Sequence, residues 1–137
     1  MTTGFKVGDS GNGNIGIANS GDWNSGDRNS GDWNSGDWNS GCFNTDEPTI
    51  RLFNQNTQMT ISEFRNSKYY YALQSKPLLI TEYINDKLVT HEYKDACRIW
   101  WGKLTKENKE IIRSMPNFDT KIFEEITGIK ESANEND

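Results

Sequence analysis

Few residues in this chain of 137 could do covalent or metal chemistry, and their spacing argues against it. His91 is the single histidine, and in an expected strand alternation directs it outward with Val89 and Tyr93. Cys42 and Cys97 lack the CxxC spacing of a zinc site, so neither a metal nor another cofactor is expected. Cys97 falls on the apolar face of an expected helix and reads as a small buried hydrophobe. The glycines recur periodically rather than between a strand and a helix, which is not how a phosphate cradle is built. With no nucleophile–base constellation, an enzyme is not expected. What does recur is a carboxylate beside an aromatic ring: Asp22-Trp23, Asp32-Trp33 and Asp37-Trp38, with Asp27 beside Arg28. That pairing suits recognition of a basic surface, the acids supplying charge and the rings supplying anchors.

The element that positions these residues is an internal repeat. Asn stands at 14, 19, 24, 29, 34, 39 and 44, and Gly at 11, 16, 21, 26, 31, 36 and 41. Ser20, Ser25, Ser30, Ser35 and Ser40 lie between them, so the unit reads N-S-G-D-W, as in Asn34-Ser35-Gly36-Asp37-Trp38. A period of five fits neither a helix nor a flat strand. It fits a solenoid whose stacked coils pair through their backbones.

Units such as Gly31-Asp32-Trp33-Asn34-Ser35 resemble the pentapeptide-repeat family, in particular its Asn/Gly-rich variant. The resemblance implies a mainly β N-terminal half, a short right-handed quadrilateral β-helix with four units per coil. Four corners pointing in four directions would keep Asp22, Asp27, Asp32 and Asp37 from converging as an acid/base pair or cation site. About 50 residues in twenty-residue coils would stack to roughly 12 Å, covering about seven phosphate charges of duplex DNA. Together with the tail Pro116-Asn117-Phe118-Asp119 and Ile122–Ile129, the repeat also resembles small pentapeptide-repeat proteins of bacteriophages and prophages.

Two orientations of the unit are open. Burying the position held by Gly13, Ala18, Trp23, Arg28, Trp33, Trp38 and Phe43 would place very different volumes, one of them charged, in a single core. Asn and Gly never vary, and Asn amides can bond in ladders along a stack while Gly permits corners of positive φ. This favours Asn inward, with Asp and Trp outside.

Composition agrees with two unlike parts. Only 33% of residues are apolar, yet 12% are aromatic, which fits neither an average globule nor a disordered tail. Residues 1–48 hold two basic and seven acidic side chains, a net −5, while residues 49–137 are balanced at thirteen each. Direct binding to nucleic acid or a membrane surface is therefore not expected. No apolar run is long enough for a membrane span, no signal peptide is evident, and two cysteines make a poor disulfide framework, so a cytoplasmic location in a host cell is expected.

The domains are expected at 1–54, the repeat stack, and 55–137, a small α-rich (α+β) lobe that caps one open end of the stack. Thr60-Ile61-Ser62-Glu63 has capping-box spacing and opens a helix through about Gln74, ended by Pro77. Leu78–Ile84 and Leu88–Tyr93 flank an Asn85-Asp86-Lys87 turn and predict a hairpin. Helices follow from about Lys94, after a Thr105 cap, and after an Asp119 cap with Gly128 ending the last. Trp100 and Trp101, about 100° apart on a helix, are not expected to face one core, so one of them is free to cover the stack.

The expected function is a non-enzymatic protein-binding module, a phage- or mobile-element-encoded inhibitor. Asp22, Asp27, Asp32, Asp37, Trp23, Trp33 and Trp38 would dock on the basic nucleic-acid-binding site of a host enzyme or defence nuclease, such as a CRISPR effector or topoisomerase. The alternative is a structural or oligomerisation protein, such as a phage particle component or a homodimer that buries the rings between copies.

Overall fold

The computed structural model describes residues 9–131. The chain forms two compact units, one running to Ile50 and including Gln58–Ile61, the other comprising Arg51–Thr57 and the chain from Ser62.

In the first unit the repeats stack in register at a step of ten. The strands β1 (Ser30–Asp32) and β2 (Ser40–Cys42) pair in parallel, Ser30 opposite Ser40 and Gly31 opposite Gly41. Parallel bridges join Ile15 to Ser25 and Ser20 to Ser30 in the same register. A coil is therefore two pentapeptides, not the four of the quadrilateral expectation, and residues five apart fall on opposite sides. The reason lies in the interior. A four-sided coil encloses a wide space that needs bulky apolar filling. Here the interior is Asn, a short side chain whose amide reaches two carbonyls across a thin coil. The register also doubles the height per residue: four coils at ~4.8 Å give roughly 19 Å.

The Asn orientation is resolved in favour of the amides. Asn14, Asn19, Asn24, Asn29, Asn34 and Asn39 are all buried. Asn24 shows the pattern. Its Nδ2 donates to the carbonyls of Ser20 (3.2 Å) and Gly31 (2.8 Å), and its Oδ1 accepts from the backbone N–H of Asn34 at 3.0 Å. The equivalent amide–backbone bonds link Asn14 to Asn24, Asn19 to Asn29 and Asn29 to Asn39. Backbone bonds from the N–H groups of Ser10, Ile15, Ser20, Ser25, Ser30 and Ser35 to the carbonyl of the Asn nine residues on, as Ser25 to Asn34 at 2.7 Å, complete the ladder. Such a core stabilises by pairing the polar groups that its asparagines bury.

Glycine is enforced by close stacking. A Cβ on Gly26, at φ +98°, would lie 1.9 Å from the Gly36 carbonyl oxygen.

The second unit is a small α-rich lobe. The strands β3 (Thr49–Leu52) and β4 (Gln55–Thr60), whose residues divide between the two units, pair around Phe53-Asn54, both left-handed. The helices α1 (Ile61–Arg65) and α2 (Lys68–Gln74) replace the single helix expected through Gln74. The break falls where side chains compete with the helix. Asn66 Nδ2 donates back to the Ser62 carbonyl, and Ser67 caps the next helix by accepting from the Tyr70 N–H. The strands β5 (Thr81–Ile84) and β6 (Lys87–Thr90) form the expected antiparallel hairpin, Tyr83 opposite Leu88, turning through left-handed Asn85-Asp86. Then come α3 (Tyr93–Lys103), α4 (Lys106–Arg113) and α5 (Thr120–Thr127). Thr105 caps α4, Asp119 caps α5, and Gly128 at φ 75° ends α5.

This lobe has an ordinary apolar core: Phe64, Ala72, Ala96, Cys97, Trp100, Trp101, Leu104, Ile112, Met115 and Phe123 are buried. Trp100 and Trp101 are thus both buried, contrary to the expectation that they could not share a core. Trp100 donates its indole N–H to the Lys76 carbonyl at 3.0 Å, while Trp101 packs edge-on to Phe123 beneath the Arg113 guanidinium. A helix covered on two sides buries adjacent rings in different directions. Among the described residues no helix is long and apolar enough to cross a membrane.

Candidate functional site

The ten-residue register sorts the repeat into two flat sides, carrying the serines, and two edges, carrying Asp and the residue after it. One edge holds Asp22-Trp23, Asp32-Trp33 and Cys42-Phe43. The other holds Ile17-Ala18, Asp27-Arg28 and Asp37-Trp38. In the sequence the four Asp and three Trp read as one surface. The structure separates them: Asp22, Asp32, Trp23 and Trp33 share an edge, and Asp27, Asp37 and Trp38 share the other.

Each Asp is held by one oxygen. Asp22 Oδ1 accepts from the Asn12 N–H, Asp27 from Ile17, Asp32 from Asp22 and Asp37 from Asp27, all at 2.9 Å. These bonds fix the carboxylate one coil from the amide it caps and leave Oδ2 to the outside. Among the described residues none of the four carboxylates makes an ion pair. Successive Asp on an edge lie one coil apart, so the acids line up as two short columns rather than diverging from four corners.

The residue after Asp is left-handed throughout: φ lies between 57° and 64° at Ala18, Trp23, Arg28, Trp33, Trp38 and Phe43. This costs roughly 1–2 kcal/mol per residue for a side chain bearing Cβ. The conformation throws each ring out along the edge, where it meets the ring one coil away. Trp23 stacks on Trp33 with centroids 5.5 Å apart and planes 13° from parallel; Trp33 stacks on Phe43 at 6.0 Å and 7°. The ladder stays open to solvent, with Trp23 52%, Trp33 51% and Phe43 74% exposed. On the other edge the Arg28 guanidinium lies over Trp38, 5.5 Å from the ring centroid. Phe43 belongs to the site although the N-S-G-D-W pattern does not single it out, because Cys42 stands where Asp would. The signal available in the sequence is the spacing 23, 33, 43.

The candidates for other chemistry are occupied. His91 does not point outward beyond the hairpin; its Nε2 lies 2.6 Å from Glu82 Oε2, with both side chains largely buried, and its backbone N–H donates to the Ile80 carbonyl. Cys97 is buried in α3 and Cys42 is exposed on the ladder edge, both as free thiols. Cys97, by a side-chain hydrogen bond and then by its charge, raises the Tyr93 hydroxyl above the ordinary tyrosine range. Among the described residues no three His, Cys, Asp or Glu side chains gather as metal ligands do.

Residues 8–47 match the family of pentapeptide repeats, in eight copies. This supports a β-helix-like N-terminal region, and proteins built on such repeats are often protein-interaction modules. No curated protein and no solved structure matches the chain.

Proposed function

We propose that the chain is a non-enzymatic protein-binding module that docks its acidic, ring-bearing stack on the basic nucleic-acid-binding surface of a host protein and inhibits it by occupying that surface. The observation that carries this reading is the pair of carboxylate columns: Asp22, Asp27, Asp32 and Asp37 are fixed by backbone bonds and have no cationic partner among the described residues. Fixed, unneutralised charge attracts a basic surface without an ordering cost on binding. The roughly 19 Å stack spans about eleven phosphate charges of duplex DNA, enough to contest a short stretch of a nucleic-acid channel.

The substitution of all four Asp by Asn isolates charge from fold, because an Asn Oδ1 can accept the same backbone bond. Wild-type protein used as bait in a bacterial lysate is expected to retain a nucleic-acid-binding protein that competing duplex DNA displaces. The Asn variant is expected to lose it. Retention by the variant, or indifference to DNA, overturns the reading. The exposed ladder also supports a second reading, an oligomerisation surface. Light scattering separates the two: a stable dimer that dissociates on Trp33→Ala favours the structural role.

A further inference from the structure

We infer that the Trp23/Trp33/Phe43 edge is the contact edge, and that the outer face of Phe43 seats an arginine side chain of a basic protein partner; this deepens the proposed function and rests on it. The two edges share one backbone geometry but differ in how their ring columns end. On the second edge the column is closed from within. Arg28 occupies the rung before Trp38, its guanidinium 5.5 Å from the ring centroid, so the chain itself shows that a guanidinium fills a place in the column as a ring would. On the first edge Trp23 and Trp33 have neighbours within the ladder, and Trp23 lies over Gly13. Phe43 has Trp33 on one face. At 74% exposure Phe43 leaves its other face open.

A planar group can therefore extend this ladder at one place. Guanidinium is flat, weakly hydrated and suited to lying on a ring; the ammonium of lysine is a compact, strongly hydrated charge. The charge of the edge selects a cation: Asp22 and Asp32 are its ionisable carboxylates, and no Lys or Arg stands at its ladder positions. The rest of the ladder presents ring edges, which carry the positive end of the aromatic quadrupole and do not attract a cation. Discrimination between arginine and lysine therefore concentrates at Phe43.

The test uses full-length protein and two fluorescent probes, nona-arginine and nona-lysine, read by anisotropy at about 150 mM salt. Wild type is expected to bind the arginine peptide the more tightly. Phe43→Leu is expected to weaken arginine binding roughly two- to fivefold and leave lysine binding unchanged. Phe43→Tyr is expected to keep both, and Trp38→Leu to change neither. Amide exchange of the stack, matching wild type in each variant, confirms that folding is intact. Unchanged arginine binding in Phe43→Leu, or the loss appearing in Trp38→Leu instead, overturns the inference. A wild-type dimer in sedimentation velocity that Phe43→Leu dissociates also overturns it, since the occupant is then a second copy. The four-Asp variant distinguishes the two levels. If it loses both peptides while Phe43→Leu loses nothing, the acidic-surface reading stands and the Phe43 seat falls. If it binds both as wild type does, the proposed function falls as well.

Discussion

The two units bury opposite things. The lobe hides Trp100, Trp101, Ile112, Phe123 and their neighbours, and its side chains meet by shape. The stack hides a file of asparagines, and its side chains meet by hydrogen bonds. An apolar core tolerates a change of outline if volume is kept. A core of amides does not, because each carries fixed donors and acceptors and a replacement of equal size leaves several backbone groups dry and unpaired. The low apolar fraction of the chain thus reflects a different mode of cohesion in its first third, not weak cohesion.

Single substitutions in either core put this contrast to the test. The largest effect is expected from Gly26→Ala, where a Cβ would fall 1.9 Å from the Gly36 oxygen at a φ that L-residues avoid. A loss of about 4 kcal/mol or more is expected, enough to abolish amide-exchange protection throughout the stack. Next, Asn24→Leu, which keeps the number and branching of the side-chain heavy atoms, is expected to cost about 3 kcal/mol, since the Ser20 and Gly31 carbonyls and the Asn34 N–H all lose their partner. The matching change in the lobe, Ile112→Val, is expected to cost only about 1 kcal/mol. Denaturant titrations of the two variants compare them directly, and equal costs would erase the distinction between the cores. At the edge, Trp33→Gly is expected to be more stable than Trp33→Ala by about 1 kcal/mol, because φ of 60° suits glycine and burdens alanine. Thermal melts that rank them the other way would show that the left-handed backbone is not under strain. The smallest effect is a gain. Asp9 takes the place of an Asn: its Oδ1 accepts the Asn19 N–H, while its Oδ2 is buried with no hydrogen-bond partner among the described residues. Asp9→Asn is expected to raise stability by about 1 kcal/mol, seen as a higher melting temperature.

Much of this was open to reading from the residues, and the exceptions have physical causes. The inward Asn was legible because the other candidate column mixed Gly13, Arg28 and Trp33, volumes no single interior accepts. The length of the coil was not legible, since a period of five divides ten and twenty alike; only the reach of an amide, to carbonyls four residues back and seven ahead, selects the thinner coil. From that one unread quantity follow the others. Trp38 leaves the company of Trp23 and Trp33, Arg28 acquires a ring to cover, and Phe43 joins the site. In the lobe the caps at Thr105 and Asp119 were visible because a short polar side chain precedes an apolar run, whereas the break at Asn66-Ser67 depends on a contest between side chain and backbone that spacing does not reveal.

The ten-residue coil also gives the repeat a parity. Each unit belongs to one edge or the other according to whether it is odd or even in the series. Loss or gain of two units would shorten or lengthen the stack and leave both edges in order. Loss or gain of one would exchange the edges for every unit beyond it, setting Trp38 in line with Trp23 and Arg28 in line with Phe43.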